Sequence, residues 1–501
     1  MSKNQSFQVP MTVEADAYTI SGQGIISDEA KQRSVYYMVN RTSPMKAWPE
    51  VAKDDRMVFF GLSHYIIENL TRRITDKDVL ETKMFMEQAH FGGAPMFYDY
   101  RLMKRVVDEY DGYLPIIIEG LPEGDTFYPH QPMVQVTSLG EGFGELAAHV
   151  EACLLGDVSL GTARATLTAH LWLHLVEKAE HYGCDVADVD NFIHDFGMRA
   201  GIKEESMVLG LAHLLFFNGT DTFNAAFKAW RDGVTTAGKS IMALAHRVVQ
   251  GFVEEGDCYK NLYEKAPVGS YVADCYDFKN AVSKYLVPLA AQKKNVVVAR
   301  PDSGDALKND KFVREQAKQN GLCKHGEKYL EPTFLCSIEG NSVKPPVIDE
   351  MLEARHKAGF HPFKTGIFGL GGYLRNNLTR DSLSSKYALN AVGLRNRPVM
   401  KFSEVQEKET IPGPLELWDG RCSLVDTHSD AMYDVIPSHV KQRLVTYYHG
   451  GKLAPFVGNF KPVHARAKET FKNAKPFMKR EDIVANLVPT INRLRAKYKG
   501  N

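Results

Sequence analysis

Short apolar runs that stop abruptly at polar or glycine residues recur through the middle of this chain. Val296-Val-Val-Ala299 stops at Arg300-Pro-Asp302-Ser-Gly304, and Thr333-Phe-Leu-Cys-Ser-Ile338 at Glu339-Gly-Asn341. Gly366-Ile-Phe-Gly369 stops at Leu370-Gly-Gly372, and Leu214-Leu-Phe-Phe217 at Asn-Gly-Thr-Asp221. Runs this short, bounded by turn residues and separated by helical stretches, predict buried parallel strands. Val268 to Ala273 ahead of Asp274, and Asn191-Phe-Ile193 ahead of His194-Asp-Phe-Gly-Met-Arg199, extend the series. Such βα units build either a barrel or an open parallel sheet. Polar residues after so many strands favour the barrel, which gathers all its strand ends round one mouth. Ligands in these folds sit at the C-terminal ends of strands, so the polar residues fall where an active site is assembled.

At 501 residues the chain exceeds what one core organises, and at least two domains are expected. Residues 1–150 mix strands (Val35 to Val39, Pro115 to Ile118) with helices. Residues 151–382 alternate helix and strand, starting with an amphipathic helix between Thr162 and Tyr182, and form the expected barrel. Residues 383–501 return to mixed, more polar sequence that packs with the first part. They end in a basic helix-like tail, Ile491 to Lys499, which reads as a solvated face. The 61 basic and 61 acidic residues cancel, leaving no electrostatic footprint for nucleic acid. Seven scattered cysteines without a CxxC pair argue against a disulfide framework or zinc site and for a reducing cytoplasm, a host's if the gene is viral. The first residues lack the apolar core of a signal peptide, and no run approaches the roughly 18 apolar residues that span a bilayer, so no membrane partner is expected.

Three segments offer chemistry. Gly369-Leu-Gly-Gly372 precedes a predicted helix, Tyr373 to Leu378. Glycines and a helix N-terminus suit an anion, although an ordinary tight turn has the same sequence. Arg380 and Lys386 follow closely. In Arg300-Pro-Asp-Ser-Gly304 the charged pair either fixes its own loop or presents Asp302 to a sugar hydroxyl or a magnesium ion. His246 lies amid small and apolar residues, the usual setting of a core histidine. His194 and Asp195 have no second histidine at ligand spacing and read as structural.

Together these segments resemble the nicotinamide phosphoribosyltransferase family, from Asp16-Ala-Tyr18 to about Lys408 and in matching order. The resemblance includes His194-Asp-Phe-Gly-Met-Arg199, Gly219-Thr-Asp221, Gly238-Lys-Ser240 with His246, Asp274-Cys-Tyr-Asp277, Arg300-Pro-Asp-Ser-Gly304, Glu339-Gly-Asn341, Phe368-Gly-Leu-Gly-Gly372 and Leu378-Thr-Arg-Asp381. It implies a type II phosphoribosyltransferase: an irregular TIM-like α/β barrel with a second mixed α+β domain built from both chain ends. It further implies a homodimer with active sites at the interface. The implied reaction joins nicotinamide to 5-phosphoribosyl-1-pyrophosphate, giving nicotinamide mononucleotide and pyrophosphate in NAD biosynthesis.

By the same resemblance the pyridine ring stacks on Phe196, with Tyr18 of the partner subunit on its other face. Arg199 and Arg300 hold the base, Asp221 accepts from its amide, and Asp16 and Ser240 complete that set. Gly371, Gly372 and Arg380 take the 5-phosphate, while Gly340 and Asn341 face the ribose. Arg41, Lys386, Lys401 and Lys408 serve the phosphates and pyrophosphate. Asp274 and Asp302 hold the ribose and its Mg2+–pyrophosphate surroundings, the metal being held mainly by the pyrophosphate. His246 aligns with the histidine that relatives phosphorylate with ATP, making ATP an activating co-substrate. The attacking pyridine nitrogen carries no proton, so no general base is needed, and catalysis rests on positioning and charge.

Several positions depart from the family pattern. Ala245 stands where relatives have glutamate, Lys239 replaces a tyrosine, Met198 an aromatic residue, and Glu339-Gly-Asn-Ser342 a Gln-Gly-Asp-Gly. Three alternatives stay open: a nicotinate phosphoribosyltransferase, a non-catalytic sensor of phosphoribosyl ligands, and a barrel hydrolase using His194, Asp195 and Asp302 around a metal.

Overall fold

The structure, a computed structural model, describes residues 9–499 except 89, 92–93, 96, 204, 342, 377, 419 and 425–443. Ser342 of the glycine-asparagine turn therefore lies outside the described residues. The chain divides into two compact units, one of residues 48–53 and 167–377, the other of 1–47, 54–166 and 378–501. The division falls inside the helix Glu151–Tyr182, where the sequence suggested 150, and at 377/378, where it suggested 382.

In the first unit, strands line up in the order Met242–Ala243, Val268–Val272, Val296–Arg300, Leu335–Glu339, Gly366–Leu370, Ile193–Asp195 and Gly219–Thr220. Every neighbouring pair is parallel. The two edges approach one segment: Lys239 bridges Gly219, while Met242 and Ala243 pair with Gly269 and Ser270. Bonded to both edges, residues 239–243 curl the sheet round on itself, giving the expected irregular barrel. Helices such as Glu255–Lys265, Ala306–Gln319 and Pro345–Lys357 connect successive strands. Tyr259, Leu262, Val272, Val297, Ala299 and Leu335 share a buried core cluster. Burial of each valine or leucine side chain in it contributes about 1.5–3 kcal/mol.

Two expected elements differ. Leu214 to Phe217 is not a strand: Leu214 ends the helix Ser206–Leu214, and the strand is Gly219–Thr220. That helix is buried over Val208 to Leu214, so its apolar residues run continuously and mask the helical period. Nor, among the described residues, does a helix follow Gly372. The amides of Arg375 and Asn376 both return to the Gly372 carbonyl, closing a single turn.

The second unit contains an antiparallel sheet in the order Arg397–Pro398, Lys386–Val392, Ser34–Val39, Pro132–Ser138, Ile116–Gly120, Val445–His449 and Lys452–Leu453. Strands from the start of the chain thus pair directly with strands from its end. The tail is the helix Val488–Lys499, which buries Ile491 and Leu494 and so is more than a solvated face.

Candidate active site

The strand ends of the barrel assemble the polar residues of the first unit. Phe196 follows the strand Ile193–Asp195 and donates its amide to the Leu370 carbonyl at 2.9 Å, which fixes the ring beside the next strand. A Cβ at Gly369 would lie 2.0 Å from Phe196 Cε2, so only glycine leaves room for that ring. The Arg300 guanidinium lies over the Phe196 ring, its central carbon 5.5 Å from the centroid. Gly340 and Gly371 also flank Phe196 closely. Arg199 ends the short helix Gly197–Arg199 and is exposed, as is its neighbour Met198.

Asp221 follows the neighbouring strand Gly219–Thr220, and its amide donates to the Asp195 carbonyl at 2.9 Å. The Ser240 hydroxyl donates to Asp221 Oδ1. Both side chains are exposed, so the Asp221 carboxylate is accessible from solvent.

A third group centres on His246. Its Nε2 lies 3.2 Å from Asp274 Oδ1, and its Nδ1 3.9 Å from Asp302 Oδ2. Asp274 Oδ2 accepts from the Asp302 amide and from the Ser303 hydroxyl. Arg300 Nη2 donates to Asp302 Oδ1 at 2.7 Å, so the salt bridge that would fix the loop forms while Asp302 still faces the histidine. Asn341 donates to the Gly304 carbonyl at 3.3 Å. Among the described residues no cluster of three or more His, Cys, Asp or Glu is placed to hold a metal. The carboxylates of Asp274 and Asp302 instead suit a magnesium ion that takes most of its ligands from phosphates and water.

Sequence reasoning missed Ser303 and understated Asp195. The fully buried Asp195 accepts from the Thr222 hydroxyl at 2.5 Å and the Gly197 amide at 3.2 Å, and pairs with Arg375 at 3.6 Å. It therefore ties the turns after three strands together. His194 is buried against Gly219, and burial lowers its pKa. With Asp195 bonded in this way and His194 packed inside, the metal-hydrolase alternative loses two of its three residues.

The remaining expected residues belong to the second unit. Asp16 caps the helix Ala17–Gly22, on which Tyr18 is 68% exposed. Arg41 and Thr42 both donate their amides to the Leu383 carbonyl. Lys386 starts the strand Lys386–Val392, and exposed Arg380 pairs with Asp381 at 2.6 Å. Glu151 lies within the fields of Lys386, Arg380 and Asp16, its pKa raised chiefly by burial and opposed by Lys386. Lys401 and Lys408 are exposed on the loop 401–410.

Glu339 is almost completely buried, and among the described residues Oε1 has no hydrogen-bond partner. Burial, reinforced by Asp310 and opposed by Arg355, pushes its carboxyl up to about 9. The folded chain therefore binds this proton more tightly than the unfolded chain, and folding loses stability as pH rises from the usual carboxylate range towards 9. Glu339→Gln is expected to raise the unfolding midpoint, by more at pH 8 than at pH 5. Thermal melts at the two pH values check this, and an equal shift at both would count against it.

The sequence model of the Nicotinate phosphoribosyltransferase (NAPRTase) family matches residues 192–411. That of the Nicotinamide phosphoribosyltransferase N-terminal domain matches residues 10–118. A nicotinamide phosphoribosyltransferase of Xanthomonas campestris is 26% identical over 423 residues, covering 80% of this chain and 88% of that protein. One from Acinetobacter baylyi is 27% identical over 370 residues, covering 66% and 72%. Among solved structures, human nicotinic acid phosphoribosyltransferase superposes with a TM-score of 0.60 at 17% identity, over 96% of this chain and 100% of that one. Nicotinate-nucleotide pyrophosphorylase from Pyrococcus furiosus gives 0.58 at 14% identity, over 95% and 100%. At these identities the two structures speak for the fold alone.

Proposed function

The chain belongs to the nicotinamide phosphoribosyltransferase family of type II phosphoribosyltransferases and is a pentosyltransferase, and we propose that it condenses nicotinamide with 5-phosphoribosyl-1-pyrophosphate in NAD salvage. Asp221 carries this choice of base. It follows the strand beside the one that precedes Phe196, and Ser240 orients its carboxylate. A carboxylate there accepts a hydrogen bond from an amide NH2 and repels an acid. Phe196, backed by Arg300, offers the pyridine a flat face.

Arg199 and Arg300 hold the base, while Gly371, Gly372 and Arg380 take the 5-phosphate. Gly340 and Asn341 meet the ribose, where Asn341 both donates and accepts. Asp274 and Asp302 face the sugar carbon that becomes positive as pyrophosphate leaves. Arg41, Lys386, Lys401 and Lys408 bind the departing phosphates. Bound magnesium supplies charge neutralisation on the leaving pyrophosphate. The chain's own part is to hold base and sugar in line and to offer charge where it develops.

A homodimer fits the exposed apolar surface. Phe223, Phe227 and Trp230 lie open on the helix Phe223–Arg231, directly after Asp221, and exposed Tyr18 would be contributed to the partner's base site. No helix among the described residues is long and apolar enough to cross a membrane, and we place the reaction in the cytoplasm.

Gly369→Ala is expected to displace the Phe196 ring and raise KM for nicotinamide roughly tenfold, with a much smaller change for phosphoribosyl pyrophosphate. Steady-state kinetics with each substrate varied decide, and equal rises would refute a role confined to the base. The test of the function as a whole is pyrophosphate release with Mg2+, phosphoribosyl pyrophosphate and either nicotinamide or nicotinate, with and without ATP. Faster release with nicotinamide, together with its mononucleotide, supports the assignment. Faster release with nicotinate would make the chain a nicotinate enzyme, and turnover with neither base would make it a sensor.

A further inference from the structure

The loop 401–410 carries Lys401 and Lys408 and is fastened at its base. The Lys401 amide donates to Thr410 Oγ1 at 2.7 Å, and the Thr410 amide donates back to the Lys401 carbonyl at 3.1 Å. Residues 404–408 are exposed, whereas Glu409, Thr410 and Ile411 are buried. Three residues distant in sequence hold that buried base. The Ile411 amide donates to the Tyr37 hydroxyl at 2.6 Å. Arg480 Nη2 reaches the Glu409 carbonyl at 3.5 Å. Arg495 Nη2 donates to both carboxylate oxygens of Glu409, at 3.1 and 3.4 Å.

The Glu409 side chain is only 4% exposed, so its carboxylate depends on that partner, while Arg495 is 42% exposed. Arg495 belongs to the terminal helix Val488–Lys499, which Ile491 and Leu494 anchor independently of the ion pair. The pair thus joins the terminal helix to the buried base of the exposed lysine loop. Glu409 directly follows Lys408, so its orientation sets the course of the chain on which Lys408 is displayed.

We propose that Glu409 and Arg495 are positioning residues for pyrophosphate: the terminal helix clamps the base of the 401–410 loop and so sets where Lys401 and Lys408 meet the phosphates. This rests on the phosphate role given to the two lysines above. It gives the terminal helix a part in substrate binding that its basic composition alone does not reveal. A buried carboxylate needs its charge-assisted partner, and losing one side leaves the other without compensation.

The test compares R495Q, R495K and E409Q with K401A and K408A in the full-length enzyme, varying phosphoribosyl pyrophosphate and nicotinamide separately and recording the unfolding midpoint of each variant. R495Q and E409Q are expected to raise KM for phosphoribosyl pyrophosphate roughly three- to tenfold while leaving KM for nicotinamide and kcat within about twofold. R495K, which keeps the charge, should recover part of the loss. The lysine variants should raise the same KM. If they do and R495Q and E409Q do not, the clamp is wrong while the lysines' role stands. If the lysine variants leave that KM unchanged, both fall. Equal rises in the two KM values with a lowered unfolding midpoint would mean a structural role only, and would also overturn the proposal.

Discussion

Asp221→Ala is expected to erode the preference for nicotinamide over nicotinate by between about fivefold and a thousandfold. The size follows from Coulomb's law. Two carboxylates about 4 Å apart repel by about 1 kcal/mol in bulk water and about 4 kcal/mol at an effective dielectric near 20. Those energies correspond to roughly fivefold and a thousandfold in relative binding. Asp221 is exposed in the chain, which favours the lower figure unless the bound base excludes water. Ser240 bonds to one carboxylate oxygen and leaves the other free, so the repulsion would fall on the ligand rather than rotate away. The ratio of kcat/KM for the two bases, measured in wild type and variant, is the readout. A ratio that does not move would remove Asp221 as the specificity determinant.

His246→Ala is expected to abolish all stimulation by ATP while preserving basal synthesis. Asp274 is a carboxylate and can only accept, so His246 Nε2 must carry the proton that bonds to it. That leaves the Nδ1 lone pair as the nucleophile, on the side of Asp302. In the proposed coupling, its attack on the terminal phosphorus of ATP would form an N–P bond as the P–O bond to ADP breaks. Asp274 is itself held by the Asp302 amide and the Ser303 hydroxyl, which keeps the imidazole from turning. Ala245 offers no carboxylate before this histidine, so Asp274 and Asp302 are the acids that steady it. Rates with and without ATP, alongside an assay for acid-labile phosphate on the protein, separate the outcomes. Equal stimulation of variant and wild type would refute the role.

The barrel was legible where its strands are short, apolar and cut off by turn residues. Val296–Arg300 and Gly366–Leu370 are of that kind, and the polar residues after them converge. Leu214 to Phe217 misled because a helix buried on all sides loses its polar face, and the hydrophobic period goes with it. The stretch after Gly372 misled for another reason. Arg375 turns inward to Asp195 instead of continuing a helix, an ion pair between residues far apart in sequence that no local pattern reveals. The antiparallel sheet was hidden for the same reason, since Ser34–Val39 finds its partner in Lys386–Val392.

That pairing has a consequence for the order in which the chain is made. As it leaves the ribosome, the early strands Ser34–Val39, Ile116–Gly120 and Pro132–Ser138 can pair only with one another. Both outer edges of this three-stranded sheet stay bare until Lys386–Val392 and Val445–His449 arrive. The barrel strands, by contrast, are all delivered between residues 193 and 370 and can close first. Synthesis therefore leaves both edges of that sheet unpaired until its last strands emerge, and unpaired strand edges are the groups of a nascent chain most prone to wrong pairing.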